Sequence, residues 1–71
     1  MIALPKRVNQ RIDFETNGER FYVTKHGRDT YSLNYVRPFA RNRWGDSEEI
    51  TSDIRHVLEF GHLPQPIGGR W

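Results

Sequence analysis

The chain has 71 residues, no cysteine and a formal charge of +2, from eleven cationic and nine acidic side chains. A domain of this length buries roughly 60% of the surface its unfolded form exposes, which leaves a small core and no room for a deep substrate pocket beside it. These values argue against a metabolic enzyme, a disulfide-stapled secreted domain and a thiolate metal site, and for one non-catalytic module that binds through its surface.

Residues 1–7 form a basic arm carrying Lys6 and Arg7, and Pro5 keeps it out of a helix. The stretch has no apolar run of signal-peptide length, and nothing in the chain approaches the roughly 20 apolar residues of a membrane span. A cytoplasmic protein with no membrane contact and no cofactor is therefore expected.

From Val8 the pattern alternates, with Val8, Ile12 and Phe14 on one face and Asn9, Arg11, Asp13 and Glu15 on the other. This is a half-buried strand. Asn17-Gly18 follows, the pair that suits a type I′ turn because both central residues need positive φ. A two-residue loop sets Thr16 opposite Glu19, Phe14 opposite Phe21 and Ile12 opposite Val23. The turn chemistry and the apolar pattern thus agree. The second strand, Glu19 to Lys25, ends in a turn at His26-Gly27-Arg28-Asp29. The third runs from about Thr30 to Val36, with Tyr31, Leu33 and Tyr35 on one face, and Pro38 closes it. Residues 37–45 have no period and read as a loop.

Asp46 is placed to cap a helix, with Glu49 three residues on completing a capping box. Ile50, Ile54, Val57 and Leu58 make one apolar stripe, and Gly61 is the stop. The expected architecture is α+β: a three-stranded antiparallel meander packed against one C-terminal helix, β-β-β-α. It occupies residues 8–61 as a single domain, with a flexible N-terminal arm and an extended C-terminal tail over 62–71. The expected core is Ile12, Phe14, Phe21, Val23, Tyr31, Leu33, Tyr35, Ile50, Ile54, Val57 and Leu58. Three strands followed by a helix resemble, in element order, the arm-binding domains of phage integrases and the sheet-in-groove DNA-binding domains of plant transcription factors. They resemble more faintly the single-strand-binding transcription coactivators. No motif carries over residue for residue, so the likeness implies no site.

Nine of the eleven cations are arginine, whose planar fork pairs with phosphate and stacks on rings. They are segregated. Residues 36–45, VRPFARNRWG, hold Arg37, Arg41 and Arg43 beside Phe39 and Trp44 with no acid, whereas residues 46–59 hold five acids against Arg55. Cations that track phosphates beside aromatics that stack on bases are the composition of a single-strand nucleic-acid site. The expected contact set is Lys6, Arg7, Arg11, Arg20, Tyr22, Arg37, Arg41, Arg43 and Trp44, on DNA or RNA. Thr24, Ser32 and Asn34 share the outer face of the sheet with Arg20 and Tyr22. A competing role exists for the loop: its aromatics close the core and its arginines pair with helix acids.

The alternative function is an inhibitor or adaptor, of the kind small phage and mobile-element proteins provide, that binds a host protein such as a nuclease, a polymerase or a defence complex. It would use Glu48, Glu49, Asp53 and Glu59 on the helix, with Trp71, or an edge strand. A third reading is a subunit of an assembly, with self-association through an edge strand. Asp53, His56 and Glu59 lie three apart, which suggests a solvated outer helix face rather than a metal site.

Overall fold

The computed structural model describes residues 3–38 and 40–64. Phe39 and Trp71, both singled out above, lie outside the described residues. Four strands and one helix follow in order: β1 (Arg11–Thr16), β2 (Glu19–Gly27), β3 (Thr30–Tyr35), β4 (Asn42–Gly45) and α1 (Ser47–Phe60). The strands form one antiparallel sheet in the order β1-β2-β3-β4. No helix among the described residues is long and apolar enough to cross a membrane.

The first hairpin follows the chemistry of its turn. Asn17 and Gly18 adopt φ of 52° and 78°, and Thr16 faces Glu19, Phe14 faces Phe21 and Ile12 faces Val23. Phe14 and Phe21 stack with ring centres 5.5 Å apart, the cross-strand aromatic pairing that stabilises a sheet face. β2 then pairs Phe21 with Tyr35 and Val23 with Leu33, and its register shifts between Lys25 and Gly27. The shift is a bulge at His26, one residue beyond the expected end of the strand at Lys25.

The sheet has four strands where three are expected. The segment expected as a loop contains β4, which pairs Leu33 with Arg43 and Ser32 with Trp44. Its four residues, Asn42-Arg43-Trp44-Gly45, carry no apolar alternation, so periodicity alone misses them.

Phe21, Val23, Tyr31, Leu33, Ile50, Ile54 and Val57 are buried in one cluster, with Ile12, Phe14 and Tyr35 packed against it. Asp46 caps α1, accepting from the Glu49 backbone N–H at 2.9 Å while Glu49 Oε1 accepts from the Asp46 N–H at 3.1 Å. The helix ends at Gly61 in the left-handed conformation, its N–H donating to the Val57 carbonyl. Leu58 is largely exposed rather than core, because the stripe that meets the sheet is Ile50-Asp53-Ile54-Val57. Val8 is exposed too, since Asn9 at φ 71° turns the chain before β1 begins.

Both ends of the domain extend further than the sequence suggests. Pro5 is fully buried and Leu4 packs on the core. Gln10 Oε1 accepts from the N–H groups of Lys6 and Arg7, and Asn9 N–H donates to the Lys25 carbonyl at 2.7 Å. Residues 4–10 are therefore tied to β2 instead of forming a free arm. Leu63, expected in the tail, is fully buried in the core, and its N–H donates to the Tyr35 hydroxyl at 3.1 Å.

Two glycines separate conformational from steric cost. A Cβ on Gly18 meets nothing within 4 Å, whereas on Gly61 it falls 2.6 Å from Asn17 Nδ2, where the hairpin tip touches the helix end. Gly18→Ala is expected to cost about 1 kcal/mol from its positive φ alone. Gly61→Ala should cost clearly more in urea unfolding, and equal losses would show that the tip and the helix end do not touch.

Candidate nucleic-acid interface

Side chains alternate across a strand, so the register decides which residues share the outer face. Arg11, Thr24, Ser32 and Trp44 form one row across the sheet, and Asp13, Tyr22, Asn34 and Asn42 the next; Glu15 and Arg20 follow. The helix covers the opposite face, and among the described residues no element packs over this one. Arg20, Tyr22, Thr24, Ser32 and Asn34 thus stand where the alternation expected them. Trp44 joins them because β4 is a strand, and it is half exposed.

The bulge adds a residue that the sequence reading passed over. His26 stacks on the Trp44 indole with ring centres 4.1 Å apart, and its Nε2 lies 2.7 Å from Ser32 Oγ. Asn34 Nδ2 donates to the same Oγ at 2.9 Å. Ser32 and Asn34 are buried although they lie on the outer face, roofed by the larger rings beside them. Ser32 Oγ thus accepts from Asn34 and shares a second hydrogen bond with His26 Nε2, whose direction follows the histidine tautomer. A bulge re-aims one side chain in this way, and no composition signal marks it beforehand.

At the β1–β2 side of the face, the Arg11 guanidinium lies 3.9 Å from the centre of the Tyr22 ring and makes two 2.8 Å hydrogen bonds to Asp13. The hydrogen bond from Arg11 holds the Asp13 carboxyl below its ordinary value. Arg20 is 3.6 Å from Glu15, a loose and exposed pair. Tyr22 is therefore half-covered by a cation whose own flat face is open to solvent.

The remaining cations are sorted by position. Lys6, Arg7 and Arg28 are exposed near the end where β1 starts and β2 stops, beside the half-buried Lys25, whose ammonium donates to the Lys6 carbonyl. Lys25 and Arg28 were not expected in the contact set, and only the fold brings them to the arm. Arg41 is exposed at the start of β4. Arg37 sits elsewhere, 4.5 Å above the Tyr35 ring and 3.7 Å from Glu19.

Arg43 departs from the expected contact set. Being opposite Leu33, it faces the helix, with Nε 3.1 Å from Asp53 Oδ2 and Nη2 3.3 Å from Glu49 Oε2. The competing role expected for the loop is met at one of these two positions: Arg43 pairs with helix acids, whereas Trp44 turns outward instead of closing the core. Asp53 is a correction as well. It is 8% exposed and is not part of an outer acidic face with His56 and Glu59. Asp53 Oδ2 is buried and has no hydrogen-bond partner, so its contact with Arg43 is one of charge. Glu49 is engaged in the capping box. Of the four helix acids expected to meet a partner, Glu48 and Glu59 remain exposed and outside any ion pair among the described residues. Arg55 lies between them.

Burial pushes the Asp53 carboxyl above its ordinary value; Arg43 pulls it back, Glu49 adds to the rise and His56 opposes it. A carboxyl raised in the folded state supports folding fully at pH below its unfolded value. That support is lost as pH climbs through the folded value. The stability of Asp53→Asn relative to the parent should therefore improve from pH 3 to pH 7 in urea unfolding. A difference that is flat, or that moves the other way, would mean the pairing with Arg43 outweighs the burial. Arg43→Ala, which leaves Asp53 without its cation, should cost about 2 kcal/mol at pH 7, less than the ~3–5 of a fully buried pair.

No protein-family model, no curated protein and no solved structure matches this chain.

Proposed function

We propose that the protein is a small non-catalytic module that binds single-stranded nucleic acid on the outer face of its sheet. The observation that carries this reading is the face shared by Trp44 and Tyr22, over which no element packs among the described residues. Their strands are two apart and their registers two residues apart, so sheet spacings put their Cα atoms roughly 12 Å from each other. That span suits stacking of two bases of an extended strand, one on the indole and one on the Arg11–Tyr22 layer. Aromatic rings and guanidinium planes both serve as stacking surfaces. Lys6, Arg7 and Arg28 at one end, and Arg41 at the β4 edge, are the cations nearest the path of the phosphates. Arg43 and Arg37 leave the contact set, since one belongs to the helix interface and the other to the opposite side near Tyr35 and Glu19.

The reading is tested by fluorescence anisotropy with short single- and double-stranded DNA and RNA at several salt concentrations. Single strands should bind in preference to duplexes, with a log–log salt slope of about −3 for some four phosphates. Trp44→Ala should weaken binding by about 1–3 kcal/mol, the value of one stacked base, while the melting temperature changes little. Arg7→Gln with Arg28→Gln should flatten the salt slope. Absence of binding at low salt, or full binding by Trp44→Ala, would reject the sheet face as the site.

A further inference from the structure

A second group of rings lies at the C-terminal end of α1. His56, Phe60 and His62 come together where Gly61 turns the chain back. The His56 and Phe60 ring centres are 4.6 Å apart and those of His56 and His62 are 5.4 Å apart at 69°. Phe60 is 55% exposed. His62 Nδ1 lies 2.8 Å from the Leu63 carbonyl oxygen, which can only accept, so Nδ1 carries the proton and Nε2 keeps its lone pair. This is how a metal-binding imidazole has its tautomer fixed. His56 Nε2 is buried and has no hydrogen-bond partner. A buried polar nitrogen left in this state calls for an explanation, and an ion is one.

From these observations we infer that His56 and His62 form a two-imidazole site for a borderline divalent cation of the Zn²⁺ class. Two imidazoles bound to one tetrahedral ion at 2.0–2.1 Å hold their ring centres roughly 5 Å apart, close to the observed separation. The surroundings favour a cation on three counts. The site lies at the negative end of the helix dipole, the last turn of α1 contains no basic residue, and Asp53 is near enough to His56 to interact with it by charge. No third His, Cys, Asp or Glu completes the set among the described residues. The remaining positions on the ion therefore fall to water reaching it from the exposed His62 side. The inference is independent of the nucleic-acid reading, because these residues lie on the helix and not on the outer face of the sheet.

The test is calorimetric titration of the tag-free chain with Zn²⁺ in a non-coordinating buffer at pH 7.5, with circular dichroism to follow the fold. One ion per chain is expected, with saturable binding that His62→Gln weakens by about tenfold or more and His26→Gln leaves unchanged. His62 follows the helix, so its replacement should leave the fold intact and keep the result readable if His56→Gln unfolds the chain. Absence of saturable heat at millimolar Zn²⁺, or equal affinity in His62→Gln, would overturn the inference.

Discussion

The contact of Arg43 with Asp53 and Glu49 fixes the last strand to the helix, and the outer face depends on it. β4 is four residues long and contributes no large apolar side chain to the core. A strand so short gains little from its backbone pairing alone, and an edge strand pairs on one side only. Charge supplies what apolar packing does not: Arg43 crosses from the sheet to two carboxylates of α1. Because the side-chain period of a strand is two, turning Arg43 inward turns Trp44 outward. The ion cluster and the exposed indole are thus one structural decision, and Glu49 links both to the cap of the helix that follows.

That arrangement changes the meaning of the charge segregation. The sequence separates a basic loop from an acidic helix, and such separation suggests two faces, each offered to a different partner. In the folded chain the two segments are consecutive and neighbouring, and several of their charges meet one another. Asp46 and Glu49 serve the helix N-terminus, while Glu49 and Asp53 receive Arg43. The exposed polar side chains of the helix that stay outside such pairs are a mixed row of Glu48, Ser52, Arg55 and Glu59, a poor imitation of a phosphate backbone. Among the described residues, the cations that stay outside such pairs, Arg55 of the helix apart, gather instead at the arm, the β2–β3 turn and the β4 edge.

The parts of the fold legible in the sequence were those where two local signals agree. Asn17-Gly18 and the apolar alternation give the same register, and Asp46, Glu49 and Gly61 bound the same apolar stripe. The parts that were not legible depend on contacts distant in the chain. β4 lacks a period because its inward residue is charged. Leu63 follows a helix stop and precedes Pro64, so it reads as tail, yet it fills the core beneath the Tyr35 hydroxyl. His26 reads as a turn residue until the bulge sets it against Trp44. The candidate site was half legible for the same reason: alternation gave Tyr22 and its row, but only the fourth strand added Trp44.

The two aromatic positions of the outer face are not equivalent, which bears on how such a face would discriminate. Tyr22 is already stacked with Arg11, and Arg11 is held flat by a bidentate carboxylate. A base arriving there meets a preorganised cationic layer and need not order it, so little side-chain entropy is lost on contact. Trp44 stacks on His26, which is itself bonded to Ser32 and through it to Asn34. A base stacking on the indole would therefore lie beside a row of short polar groups instead of a salt bridge. Stacking is tolerant of sequence, whereas hydrogen-bonding groups beside a stacked ring are selective. Any preference among bases should consequently arise at the Trp44 end, and general affinity at the Arg11 end.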